Sequence, residues 1–141
     1  MPDGRTLVAG EATGEALVLD EPLSFWGGLD PVTGELIDTH HPRRGAVVTG
    51  RVLVMPSGRG SSSSSYVLAE AIRAGTGPAA ILLREPDGII ALGAIVAREL
   101  YGTRTPVVTV TDDVHAAIAE GETLEVVARD DGASIRTVEG T

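Results

Sequence analysis

"GRVLVMPSGRGSSSSSYVLAEAIRAG", residues 50–75, joins three unlike patterns in one line. A β-branched apolar run ends at Pro56, a Gly-Arg-Gly turn follows, and five serines lead into an apolar pattern of helical spacing. The first pattern, starting upstream at Ala46, predicts a strand over 46–55 with apolar residues on both faces, as in a buried parallel strand. In the third, Val67/Leu68 and Ala71/Ile72 fall on one helical face and Gly75 closes it, which predicts a helix over 65–75. The serines between them admit two readings, a flexible polar linker or hydroxyls set at the start of a helix. A linker separates domains, and a chain of 141 residues predicts only one. The segment therefore reads as strand, turn and helix.

The flanks extend this unit. "EALVLD" (15–20) is the first strand candidate, and the Gly-, Pro- and Asp-rich stretch 21–45 is a long connection. Within it "DPVTGELID" predicts a hairpin turning at Pro31–Gly34. "AAILLRE" (79–85) and "PVVTV" (106–110) predict further buried strands, and "IIALGAIVARELYG" (89–102) a helix closed by Gly102. An Asp-capped helix is expected over 112–121, then strands over 123–129 and 133–138 around the turn "DDG". Strands alternating with helices imply parallel pairing with right-handed crossovers. The β segments at both ends predict a second sheet or a partly closed barrel beside the parallel one. The class is α/β.

Composition narrows the function. The net charge is −9, every one of the eleven basic residues is arginine, and there is no basic stripe interleaved with aromatics. A phosphate backbone would be repelled, so nucleic acid is not an expected partner. No apolar run approaches a membrane span and the N-terminus lacks a signal-peptide pattern, so the expectation is a cytoplasmic protein without a membrane partner. The absence of cysteine excludes disulfides, a thiol nucleophile and any self-supplied iron–sulfur or thiolate zinc ligation.

The serine turn is the one segment with evident chemistry. The first amides of a helix lack intrahelical partners and carry partial positive charge, which favours an anion. Ser61 would sit near the N-cap after Gly60, Ser62 and Ser63 at the first helical positions, and Arg59 beside them as a bidentate clamp. No Gly-Lys-Ser/Thr ending is present, so this is not a P-loop. Taken by themselves, the residues leave capping and ligand binding both open. A catalytic serine needs a base, and His40, His41 and His115 are the candidates. His115 lies in a predicted helix and reads as a surface or C-terminal-dipole residue. Adjacent His40 and His41 point opposite ways in an extended segment and cannot share one metal. Without a Gly-x-Ser-x-Gly or a paired-histidine motif, neither a self-contained hydrolase nor a metalloenzyme is supported.

"SFWGGLDPVTGELIDTHHPRRG" (24–45), "GRVLVMPSGRGSSSSSYVLAEAI" (50–72) and "REPDGIIALGAIVARELYGTRTPVV" (84–108) together resemble the small subunit of the aconitase X family over about residues 5–138. The resemblance implies a three-layer β/β/α swivelling domain, a single domain over 1–141, and a two-chain hydro-lyase. It implies that Ser61, first serine of the Gly-Ser-Ser segment, is the alkoxide-like base, and that Arg59, Gly60 and Ser62 help hold the substrate carboxylate. It also implies an Fe–S cluster on a large-subunit partner, with no cofactor bound by this chain. Two substrates of the family compete, cis-3-hydroxy-L-proline and phosphomevalonate, and the "SFWGGLDPVTGELID" loop with the lysine-free composition favours the first. The sequence departs from many relatives, which carry Cys, Gly, Thr or Val where this chain has serines. Trp26, Gly27, Gly28 and Asp30 would line the subunit interface or the mouth of the site, or else serve as core cap and turn, and His40 and His41 would face the partner. The rival class is a non-catalytic swivelling interaction module; a phosphohistidine carrier would need a histidine where this turn has serines.

Overall fold

Val52, Leu53, Val54 and Met55 are all fully buried, and they alternate between two separate cores. In the computed structural model, which describes residues 3–59 and 62–138, these four residues form β3 (Val52–Met55), the centre of a closed seven-stranded barrel. The other elements, in chain order, are β1 (Gly4–Val8), β2 (Gly10–Val18), an irregular turn α1 (Phe25–Gly28), then α2 (Ser64–Ala74) and β4 (Ala80–Leu83) after β3. They continue with α3 (Gly88–Tyr101), β5 (Val107–Val110), α4 (Asp112–Ala117), β6 (Thr123–Arg129) and β7 (Gly132–Thr137). Around the barrel the strands run β1-β5-β4-β3-β2-β6-β7.

The parallel half is β2-β3-β4-β5, with Leu53 opposite Leu17 and Ile81, and Leu82 opposite Val54 and Val108. The remaining pairings are antiparallel, and a Gly4–Ala133 pairing of β1 with β7 closes the ring. Side chains alternate along each strand. Val52, Val54, Leu82 and Val108 therefore fill the barrel with Leu124, Val126 and Ala128 from the antiparallel half. Leu53, Met55, Ile81 and Leu83 face the other way, against Leu68, Ala71 and Ile72 of α2 and Ile90, Ala94 and Ala97 of α3. The result is the expected β/β/α layering, with the sheet closed rather than partly closed. Each leucine so buried stabilises the fold by about 1.5–3 kcal/mol, so the scarcity of aromatics costs little.

Several boundaries differ from expectation. The strand predicted over 46–55 begins only at Val52, because Gly50 takes φ +68° and breaks the extended run. Residues before it serve the long connection instead: Val47 pairs with Glu35, and the Val48 amide donates to the Gly34 carbonyl. The first strand is longer than expected and starts at Gly10, and β1 was not evident in the sequence at all. The helix predicted over 112–121 ends at Ala117, where Ile118 turns extended. Gly75 and Gly102 close α2 and α3 in the left-handed conformation, as their spacing implied.

Candidate active site

In parallel sheets the loops after the strands' C-terminal ends collect the functional groups. Here the turn after β3 is pinned on two sides. The Pro56 carbonyl accepts from the Arg84 and Glu85 amides (3.1 and 3.2 Å), tying the turn to the loop after β4. Gly58 forms a parallel bridge with Leu23, and the Arg59 amide donates to the Leu23 carbonyl at 3.2 Å. Gly58 has no room for a side chain, since a Cβ would collide with the Asp87 carboxylate and lie 2.7 Å from Ile90 Cδ1. Asp87 in turn caps α3, its Oδ1 accepting from the Ile89 and Ile90 amides at 2.9 and 3.0 Å.

Arg59, Ser64, Asp87, Leu23, Phe25 and Ile90 line a small depression at this corner. The Arg59 side chain is exposed. Gly60 and Ser61, the expected carboxylate contact and base, lie outside the described residues. Ser62 is exposed and precedes α2 in a turn, its carbonyl accepting from the Ser65 amide (3.3 Å) and hydroxyl (2.8 Å). The expected register is therefore corrected: Ser63 is the N-cap, and Ser64 and Ser65, not Ser62 and Ser63, open the helix.

Ser64 and Asp87 are the two residues of this corner that the sequence reading passed over. Ser64 is only 4% exposed, and its Oγ accepts from the Trp26 amide at 3.1 Å. Its position was legible in the spacing, since 64, 67/68 and 71/72 share one helical face. Asp87 carried the ordinary mark of an N-cap, a short acidic residue directly before an apolar helical run. Trp26 itself is 57% exposed, so it does not cap the core. Asp30 makes a turn: its Oδ1 accepts from the Val32 amide at 2.8 Å and its carbonyl from Gly34.

The histidines divide. His41 is 6% exposed, its Nδ1 accepting from the Arg43 amide (3.0 Å) and its Nε2 facing the Glu21 carbonyl (3.3 Å). It is a buried staple of the long connection and does not face outward to a partner; His40 is exposed. His115 is half-buried and stands in the last turn of α4, the helix-end position expected for it. Burial lowers its pKa, and Arg84 lowers it further, against the opposing pull of the Met55 carbonyl, Asp112 and Asp20. Among the described residues no group of three or more His, Asp or Glu side chains is placed to hold a metal ion, and no helix is long and apolar enough to cross a membrane.

A model of the aconitase X swivel domain matches residues 2–135. The chain belongs to the aconitase X swivel-domain family. Over 103 residues it is 59% identical to the cis-3-hydroxy-L-proline dehydratase of Pseudomonas aeruginosa, covering 73% of this chain and 18% of that protein. With the enzyme of the same name from Hypocrea jecorina it shares 44% over 111 residues, covering 77% of this chain and 19% of that one. The chain thus spans less than a fifth of the length of these relatives. The phosphomevalonate dehydratase small subunit of Pyrococcus furiosus is 46% identical over 94 residues, 67% of this chain and 70% of that protein. The crystal structure of Thermococcus kodakaraensis aconitase X in its holo-form superposes on the swivel domain with a TM-score of 0.82 at 34% identity, covering 98% of each chain.

Proposed function

We propose that the swivel domain is one part of a hydro-lyase that dehydrates cis-3-hydroxy-L-proline, completing its active site against a large-subunit partner. The observation that carries this reading is the 59% identity to the Pseudomonas aeruginosa dehydratase, against 46% to the Pyrococcus furiosus small subunit. Ser61 is the base. Its oxygen takes the proton from C2 of the substrate, the C–H electron pair forms the C2=C3 double bond, and hydroxide leaves from C3, so the elements of water are lost. A serine hydroxyl is far too weak an acid to be ionised unaided. The positive N-terminal end of the α2 dipole and the Arg59 guanidinium supply the positive potential that stabilises the alkoxide. Arg59, Gly60 and Ser62 hold the carboxylate, Arg59 through paired N–H donors.

The Fe–S cluster associated with the family does not fit this chain: it has no cysteine, and among the described residues no three or more His, Asp or Glu side chains are grouped to hold a metal ion. Its ligands belong to the partner, and this chain contributes proton transfer and carboxylate binding only. The second reading is a phosphomevalonate dehydratase, favoured by the Pyrococcus furiosus relative, a small subunit of comparable extent. Production of the chain with its large partner, followed by assay of both substrates, decides between them. The expected result is dehydration of cis-3-hydroxy-L-proline by the assembly and none by the chain alone. Turnover of mevalonate 5-phosphate instead would establish the second reading, and an assembly inert to both would leave a non-catalytic interaction module.

A further inference from the structure

Trp26, Ser24 and Ser64 form a closed ring of hydrogen bonds. The Trp26 amide and Ser64 Oγ are 3.1 Å apart, Ser64 Oγ and Ser24 Oγ 3.3 Å, and Ser24 Oγ and the Trp26 carbonyl 3.1 Å. Only one proton arrangement satisfies all three. An amide can only donate, so Ser64 accepts from Trp26. A carbonyl can only accept, so Ser24 spends its single proton there, and Ser64 must donate to Ser24. Each hydroxyl then donates once and accepts once, and both backbone polar groups of Trp26 are satisfied at a bend where no regular element serves them.

We propose that Ser64 is a positioning residue, which through this ring fastens the backbone of the exposed Trp26 to the first turn of α2. Ser64 stands directly after the segment 60–63 and is buried against the loop. Phe25 and Leu23, both buried, anchor the loop from the other side, and the Arg59 amide bonds to Leu23. The Trp26 backbone is thereby held at a set place, although more than half of the residue faces solvent. The consequence for catalysis rests on the proposed function, since it concerns the aim of Ser61; the ring itself does not.

Trp26 is the sole tryptophan of the chain, which gives a clean optical probe that needs no partner. The first measurement is hydrogen exchange at the Trp26 amide with acrylamide quenching of its fluorescence, on the isolated chain. The wild-type amide is expected to be protected, and S64A to exchange about tenfold faster with readier quenching, as loss of its acceptor implies. S24A keeps that acceptor and falls between them; it carries the test if S64A fails to fold. An unprotected wild-type amide, or variants that exchange and quench like wild type, would overturn the proposal. In the assembly with the large subunit, S64A should lower kcat about tenfold with KM changed much less, a misaimed base rather than lost binding. Loosened Trp26 with wild-type kcat and KM would also sink the positioning role. If the wild-type assembly turns over neither substrate, the functional reading fails while the exchange data still judge the ring.

Discussion

Glu120 shows how single side chains hold the long connection against the barrel. Burial alone would raise its pKa, but hydrogen bonds from Arg43, the Val18 amide and Arg51 outweigh it and hold the carboxyl at about 2. A folded pKa below the ordinary 4.5 means the stabilisation is complete above 4.5 and is lost as pH falls toward about 2. Because the group is partly exposed, solvent screens these contacts, and E120Q should cost about 1 kcal/mol in denaturant titrations at neutral pH. The variant's stability should also fall less steeply than wild type across that acid window. His115 titrates in a higher range with the same sign. Its folded pKa is lowered by burial first and by Arg84 second, so stability is full above 6.5 and declines as pH falls below it. H115N should flatten the decline just below 6.5, read from thermal midpoints at a series of pH values. Residue chemistry was only partly legible in the sequence. Asp30 as a turn former followed from its own side chain, whereas the burial of His41 depends on a carbonyl twenty residues away and on the Arg43 amide.

At the scale of elements, α2 and α3 pack at a distance set by Gly93. A Cβ there would lie 2.8 Å from the Ser65 carbonyl oxygen and 3.2 Å from Leu68 Cβ. An ordinary helix interior gains up to about 1 kcal/mol from glycine to alanine. Here backbone must shift, so G93A should instead lower stability and displace the first turn of α2, visible as amide shift changes confined to residues 62–68 and their neighbours. The helices and parallel strands were legible because apolar periodicity and glycine stops agree with the final packing. β1 was not, because "GRTLV" carries little apolar alternation; its extended form comes from the edges of β5 and β7 that it joins. The over-long strand at 46–55 has the opposite cause: Val47 and Val48 have strand character, but Gly50 turns the chain and hands them to the connection.

For the whole molecule, barrel and helical layer together leave one corner where the turn after β3, the N-cap of α3 and the Trp26 loop meet. The serine run is not a linker within this architecture. Ser64 and Ser65 belong to α2, Ser63 stands at its N-cap position and Ser62 forms the preceding turn, while the base is assigned to Ser61 by the proposed function. That division of labour is the central claim, and it makes S61A in the chain assembled with its large subunit the most direct measurement. With cis-3-hydroxy-L-proline as substrate, S61A should lower kcat by about 10²–10⁴-fold, the range of a positioned general base, while the assembly forms as before. Turnover by S61A at the wild-type rate would contradict the account.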